Sequence, residues 1–130
     1  MTNSIIEIAQ IITKSFEENF EKLLAEKKDI SEFIVEIKKV LDKSGAILVA
    51  EALETLDSLV KSDTKRKQSW YVHEKSAPNT IATIFGEVHY HRTYYKHKID
   101  KEYRYLSDEL VGIKAYDKMD LSLKAKLIEE

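Results

Sequence analysis

The sequence predicts an α+β fold: a long antiparallel helical hairpin, then a small antiparallel β-meander and the start of a C-terminal helix. Three observations carry this. Apolar residues recur every three or four positions through the first sixty residues. β-Branched and aromatic residues dominate 80–106. Two of the three glycines, Gly86 and Gly112, and the single proline fall at or near the joints between these patterns. The expected organisation is a helical hairpin over 1–62, a linker or loop over 63–79, a β-meander over 80–106, and a helical turn with the start of a further helix over 107–130.

In the first helix the apolar stripe runs through Ile5, Ile8, Ile12, Phe16, Phe20 and Leu23 or Leu24. Asn3 or Ser4 can cap its start, and Glu7 lies where the helix dipole favours a carboxylate. A second stripe begins after Asp29 or Ser31 and passes through Phe33 or Ile34, Ile37, Leu41, Leu48, Ala52, Leu56 and Leu59 or Val60. About thirty residues of helix span roughly 45 Å. Gly45, midway along it, marks a bend or a close helix contact. The short connection between the stripes favours an antiparallel pair. Two helices alone leave apolar surface bare, so a partner chain or the second half must cover it.

Residues 62–79 are polar and without period, with Trp70-Tyr71-Val72 as an aromatic anchor and the only proline, Pro78. They read as a linker or long loop. Residues 80–85 then read as a strand, Gly86-Glu87 as a turn or bulge, and 88–95 as the second strand. That strand places Val88, Tyr90, Arg92 and Tyr94 on one face and His89, His91, Thr93 and Tyr95 on the other. Residues 103–106 return as a third, short strand. Ser107 to Ile113 reads as a capped helical turn closed by Gly112. The amphipathic pattern at 120–128 has no stop signal after it, which predicts a helix cut off early and a chain that is part of something longer.

Composition narrows the function classes. The chain has no cysteine, which excludes disulfides and thiolate metal sites and fits a reducing compartment. It shows no signal peptide and no apolar run approaching the ~18 residues of a membrane span. The cytoplasm is the expected location, with no membrane partner. With three glycines, no phosphate-cradling loop can be built. The formal net charge of −2 hides an asymmetry: residues 1–64 carry 8 basic and 13 acidic groups, whereas 65–106 carry 9 basic and 4 acidic. Partners meet such local fields, not the whole-chain value.

Three constellations could carry chemistry. Cations and rings interleave in the basic segment, where phosphates attract the former and unpaired bases can stack on the latter. The candidate DNA-binding set is Arg66, Lys67, Arg92, Lys96, Lys98 and Arg104 with Tyr94 and Tyr95. The alternative is that the tyrosines build a sheet core and the lysines solvate its rim. His89, His91 and His97 could ligate zinc or nickel if they converged, but solvated surface histidines explain them as well. Paired carboxylates such as Glu17-Glu18 and Asp108-Glu109 fit solvated helix faces or caps, and none has a nucleophile at a telling spacing.

The Ile-Ile-Glu-Ile-Ala-Gln run at 5–10, Thr-Ile-Phe-Gly-Glu-Val at 83–88, Arg-Thr-Tyr-Tyr-Lys at 92–96 and Tyr-Leu-Ser-Asp-Glu-Leu-Val-Gly-Ile at 105–113 resemble the amino-terminal region of the ISLre-type insertion-sequence transposases, long grouped as an uncharacterised protein family. The resemblance covers nearly the whole chain. It implies cut-and-paste DNA chemistry by carboxylates holding a divalent metal, in a domain beyond this one. The chain itself is then a non-enzymatic piece without a cofactor, acting in DNA (terminal-repeat) binding, transposase assembly or both, with DNA and a second copy through the helical half as partners; the alternative is a dimerisation module without direct DNA contact. Related transposases carry a zinc ribbon near such strands; with no cysteine here, the resemblance implies a metal-free hairpin.

Overall fold

The computed structural model describes residues 2–26 and 29–114. Its α+β architecture comprises helices α1 (Thr2–Ala25), α2 (Ile30–Ser62) and α3 (Thr64–Ser69), strands β1 (Trp70–Thr83), β2 (Gly86–His97) and β3 (Tyr103–Arg104), and helix α4 (Leu106–Leu110). The three strands form one antiparallel sheet in the order β1-β2-β3. The expected helix at 120–128 lies outside the described residues. Among the described residues no helix is long and apolar enough to cross a membrane.

The two long helices follow their stripes. The Asp29 side chain accepts a bond from the Ser31 N–H and caps α2. The first half of α2 packs against α1, and its second half crosses onto the sheet. There Ala46, Val49, Ala50 and Leu53 meet Ile81, Val88 and Tyr90, with Ile113 closing the cluster. Alanines on the helix let the sheet come close. Gly45 continues that surface: a Cβ there would stand 2.6 Å from the Phe85 ring, so the close contact at this glycine is with the β1–β2 turn and not with another helix. Phe85 comes from the β1–β2 turn, which Gly86 makes possible with φ +105.

The expected linker over 63–79 is corrected. Residues 64–69 are helical, and β1 begins at Trp70. Register shifts between Val72 and Glu74 and between Glu74 and Ala77 break the two-residue alternation, so the strand has no legible period there. Pro78 pairs with His91. A proline has no N–H to give, so this pair sits at a position where both backbones point away from each other.

That geometry sends the His91 and Thr93 N–H groups out of the other side of β2. Two carboxylates of α2 meet them. Glu54 Oε2 accepts the His91 N–H at 2.8 Å, and Asp57 Oδ1 accepts the Thr93 N–H at 2.9 Å. The helix therefore closes a sheet edge that would otherwise present free donors. Arg92 and Thr93 are consecutive and both buried, at 5% and 0% exposure: Asp108 of α4 takes up the Arg92 side chain, and Asp57 of α2 takes up that of Thr93.

Candidate functional site

Two buried aspartates organise the junction of α2, β2 and α4. Asp57 accepts the Thr93 hydroxyl at 2.6 Å and the Ser107 hydroxyl at 2.8 Å, besides the Thr93 N–H. Asp108 pairs with the Arg92 guanidinium and accepts the Tyr90 hydroxyl at 3.0 Å. Asn79 in turn donates to the Tyr90 oxygen at 2.9 Å. The Arg92 guanidinium lies 3.5 Å from the Tyr105 ring centre. Burial alone would disfavour the Arg92 charge, but Asp108, with Tyr90 and Tyr105 adding to it, outweighs this and the arginine's pKa is raised. In this lock Arg92 and Asp108 neutralise each other, whereas the Asp57 carboxylate is held by three hydrogen bonds and, among the described residues, by no cation.

Burial is the main cause that pushes the Tyr90 phenol up to about 12; Asn79 opposes it and Asp108 adds to it. A phenol raised above its unfolded value contributes stability that is complete below about pH 10 and lost as pH rises to about 12. The loss due to Tyr90 is on the order of 2–3 kcal/mol. Burial raises the Tyr95 phenol in the same direction. Subtracting a Tyr90→Phe variant isolates Tyr90: urea unfolding between pH 9 and pH 12 is expected to show a smaller alkaline loss in the variant than in the parent. Equal losses would contradict the lock.

The lock changes the candidate DNA-binding set. Arg92 and Tyr95, at 5% and 0% exposure, lie inside the fold and do not reach a phosphate or a base. Arg66 is turned inward, donating to the carbonyls of Lys61 and Trp70 and lying 5.2 Å from the Tyr95 ring. Arg104 is surface-exposed but sits 3.1 Å from Glu102 and 3.9 Å from Glu109. Lys67 is exposed. Lys96 and Lys98 are half-buried beside rings, Lys96 at 5.4 Å from Tyr103 and Lys98 at 5.0 Å from Tyr71. Tyr94 is half-buried and stacks on Tyr103 and Tyr105. The six cations thus do not form one patch. An arginine among tyrosines reads as a surface group until its partner, sixteen positions on in α4, is known.

The histidines separate. His89 bonds the Thr80 hydroxyl at 2.8 Å, His91 lies 3.4 Å from Glu54, and His97 packs edge-on to Trp70 while accepting the Asp100 N–H. Among the described residues no group of three ligating side chains converges.

The hairpin carries a different kind of surface. In α1, Ile8, Ile12 and Leu23 are withdrawn from solvent, whereas Ile5, Ile6, Phe16, Phe20 and Leu24 are exposed by 43–65%. In α2, Ile30, Ile34, Leu41, Leu48 and Leu59 are exposed by 41–65%; Ile11, Val35 and Ile47 are exposed as well but lie off these two stripes. At about 100° per residue, each exposed stripe lies roughly a quarter turn from its helix's contact stripe, in the same rotational sense. In antiparallel helices, equal senses put both stripes on one side. The result is a two-helix apolar face, with Phe16 and Phe20 stacked at 5.7 Å.

A family model described as "Uncharacterised protein family (UPF0236)" matches residues 23–130. Three similar proteins come from Caldanaerobacter subterraneus subsp. tengcongensis. UPF0236 protein TTE0402 is 35% identical over 96% of this chain and 25% of its own length. UPF0236 protein TTE2489 is 36% identical over 90% of this chain and 25% of its own. A third, 34% identical over 96% of this chain and 27% of its own length, bears a name joining eleven designations, from TTE0033 to TTE2212. The chain therefore spans about a quarter of the length of these curated relatives. No solved structure matches it.

Proposed function

The chain belongs to the uncharacterised protein family UPF0236, and on that premise we propose that it is the non-catalytic assembly module of an ISLre-type insertion-sequence transposase, joining two copies through its helical hairpin. The observation that carries the assembly role is the apolar face shared by α1 and α2. The mobile-element setting is supported by the relative whose single name joins eleven designations in one organism, as repeated gene copies would give. On this reading, metal-dependent strand chemistry belongs to the remaining three quarters of such a protein.

A second copy is the occupant that fits. A hairpin of two antiparallel helices is half of a four-helix bundle, completed by a twofold axis. The face is about 36 Å long and roughly 20 Å wide, so each copy would bury roughly 700 Å², near the ~800 Å² per partner of a stable interface. Ile34, Leu41 and Leu48 recur at seven-residue spacing, which lets two like stripes interdigitate.

Sedimentation velocity tests this on the 130-residue chain. Concentration-dependent conversion from monomer to dimer is expected. Leu41→Lys combined with Leu48→Lys should leave a monomer with unchanged circular dichroism, because both side chains are already exposed. A parent that stays monomeric at every concentration, or a dimer indifferent to the two lysines, would overturn the proposal.

A further inference from the structure

The register brings three residues into one row across the sheet: Tyr71 pairs with Lys96, and Lys96 pairs with Tyr103. Side chains of paired residues share a face. Tyr71 is 56% exposed and Tyr103 42% exposed, so two rings flank a lysine on an open surface. The rings stand about two strand spacings apart, roughly 10 Å.

The platform is rigid from beneath. Tyr94 stacks on Tyr103 with ring centres 5.4 Å apart and on Tyr105 at 4.3 Å. Tyr105 lies over the Arg92 guanidinium, which is held by Asp108. His73 adds an edge-on contact to Tyr103 at 4.8 Å. The exposed ring is thus tied through a column of flat groups to the buried lock, and a preorganised ring loses little freedom when something stacks on it. Lys98 extends the row: its ammonium lies 5.0 Å from the Tyr71 ring and donates to the Lys67 carbonyl at 2.6 Å. Among the described residues neither Lys96 nor Lys98 is paired with a carboxylate, whereas Lys38, Lys39 and Arg104 are.

We propose that the Tyr71–Lys96–Tyr103 row is a binding site for single-stranded nucleic acid, with a base stacked on each exposed tyrosine and the intervening backbone phosphate on Lys96. Two accessible rings on a sheet, with unneutralised cations beside them, are the elements by which proteins hold unpaired bases. A duplex hides its base faces and must be held by its phosphates. The arrangement here suits it poorly, since Arg66, Arg92 and Arg104 are all engaged within the fold. The site is independent of the hairpin face, so it stands or falls separately from the assembly reading.

The probe is a fluorescently labelled oligo-dT, with oligo-rU and a mixed-sequence DNA duplex as comparison arms, titrated by anisotropy at several salt concentrations. Oligo-dT or oligo-rU is expected to bind more tightly than the duplex; their relative affinity identifies the sugar preferred. Tyr71→Ala and Tyr103→Ala should each weaken binding at least about fivefold, while Tyr71→Phe retains it because the ring remains. Lys96→Ala should weaken binding and flatten the salt dependence by roughly 0.7 in the log–log slope. Circular dichroism of each variant separates lost binding from lost folding, and Tyr71→Phe is compared with the parent directly. No binding of either single strand at low salt, duplex binding as tight as single-strand binding, or alanine variants that bind like the parent would overturn the proposal.

Discussion

Arg92→Ala is expected to destabilise the fold by about 3–5 kcal/mol, because it strands the Asp108 carboxylate in a site that is 2% exposed. The same substitution removes the cation beneath Tyr105 and one of the groups that orient Asp108 toward Tyr90. Arg92→Lys should recover only part of the loss. An ammonium offers a point charge, not a flat group that bonds a carboxylate while lying against a ring. If both partners are replaced by apolar residues of similar size, the loss should be smaller than for Arg92→Ala alone, since no unpaired charge is left inside. Urea unfolding of the parent, both single variants and the double variant measures this. A surface arginine holding only a phosphate would change stability by no more than about 0.5 kcal/mol. That result for Arg92→Ala would refute the lock.

Asp57→Ala comes next in size. It leaves the Thr93 N–H, the Thr93 hydroxyl and the Ser107 hydroxyl without their acceptor, in positions 0% and 2% exposed. Bonds to a charged group contribute about 1.5–3 kcal/mol each, but the three share one carboxylate and do not add. A net loss of about 3–4 kcal/mol is expected, seen as a fall in Tm of roughly 10 °C or more. Asp57 also joins α2 to both β2 and α4, so the loss should appear as one cooperative transition at lower temperature. A Tm within a few degrees of the parent's would show that Asp57 is not what ties these elements together.

What the sequence could reveal follows from how local each signal is. The stripes of α1 and α2 are written at three- and four-residue spacing, and the helices form where the stripes run. Gly86 and Gly112 mark a turn and a helix end, and both have positive φ. The surplus apolar surface of the hairpin was legible too: Ile34 and Leu41 belong to a stripe broader than α1 can cover.

Other features depend on distant partners. The first part of β1 carries His73, Glu74, Lys75 and Ser76 across two register shifts, so no alternation survives to be read. Helix α3 has no apolar stripe, and Arg66 stabilises it by bonding the carbonyls on either side of it. Arg92 reads as a phosphate ligand because its neighbours are tyrosines and lysines; only the fold returns Asp108 to it. Asp108 and Glu109 look alike as helix-start carboxylates, yet one is buried and the other exposed. Tyr71 and Tyr103 are separated by 32 positions and gain meaning only from the register that sets Lys96 between them.

Assembly of the chain depends on the hairpin face being the surface that meets a second copy. Amide hydrogen exchange of the chain at low and high protein concentration tests it at the level of segments. Added protection at high concentration should be confined to peptides from α1 and the first two thirds of α2, with β1 and β2 unchanged. Exchange that is independent of concentration throughout, or added protection in the sheet and not in the helices, would contradict it.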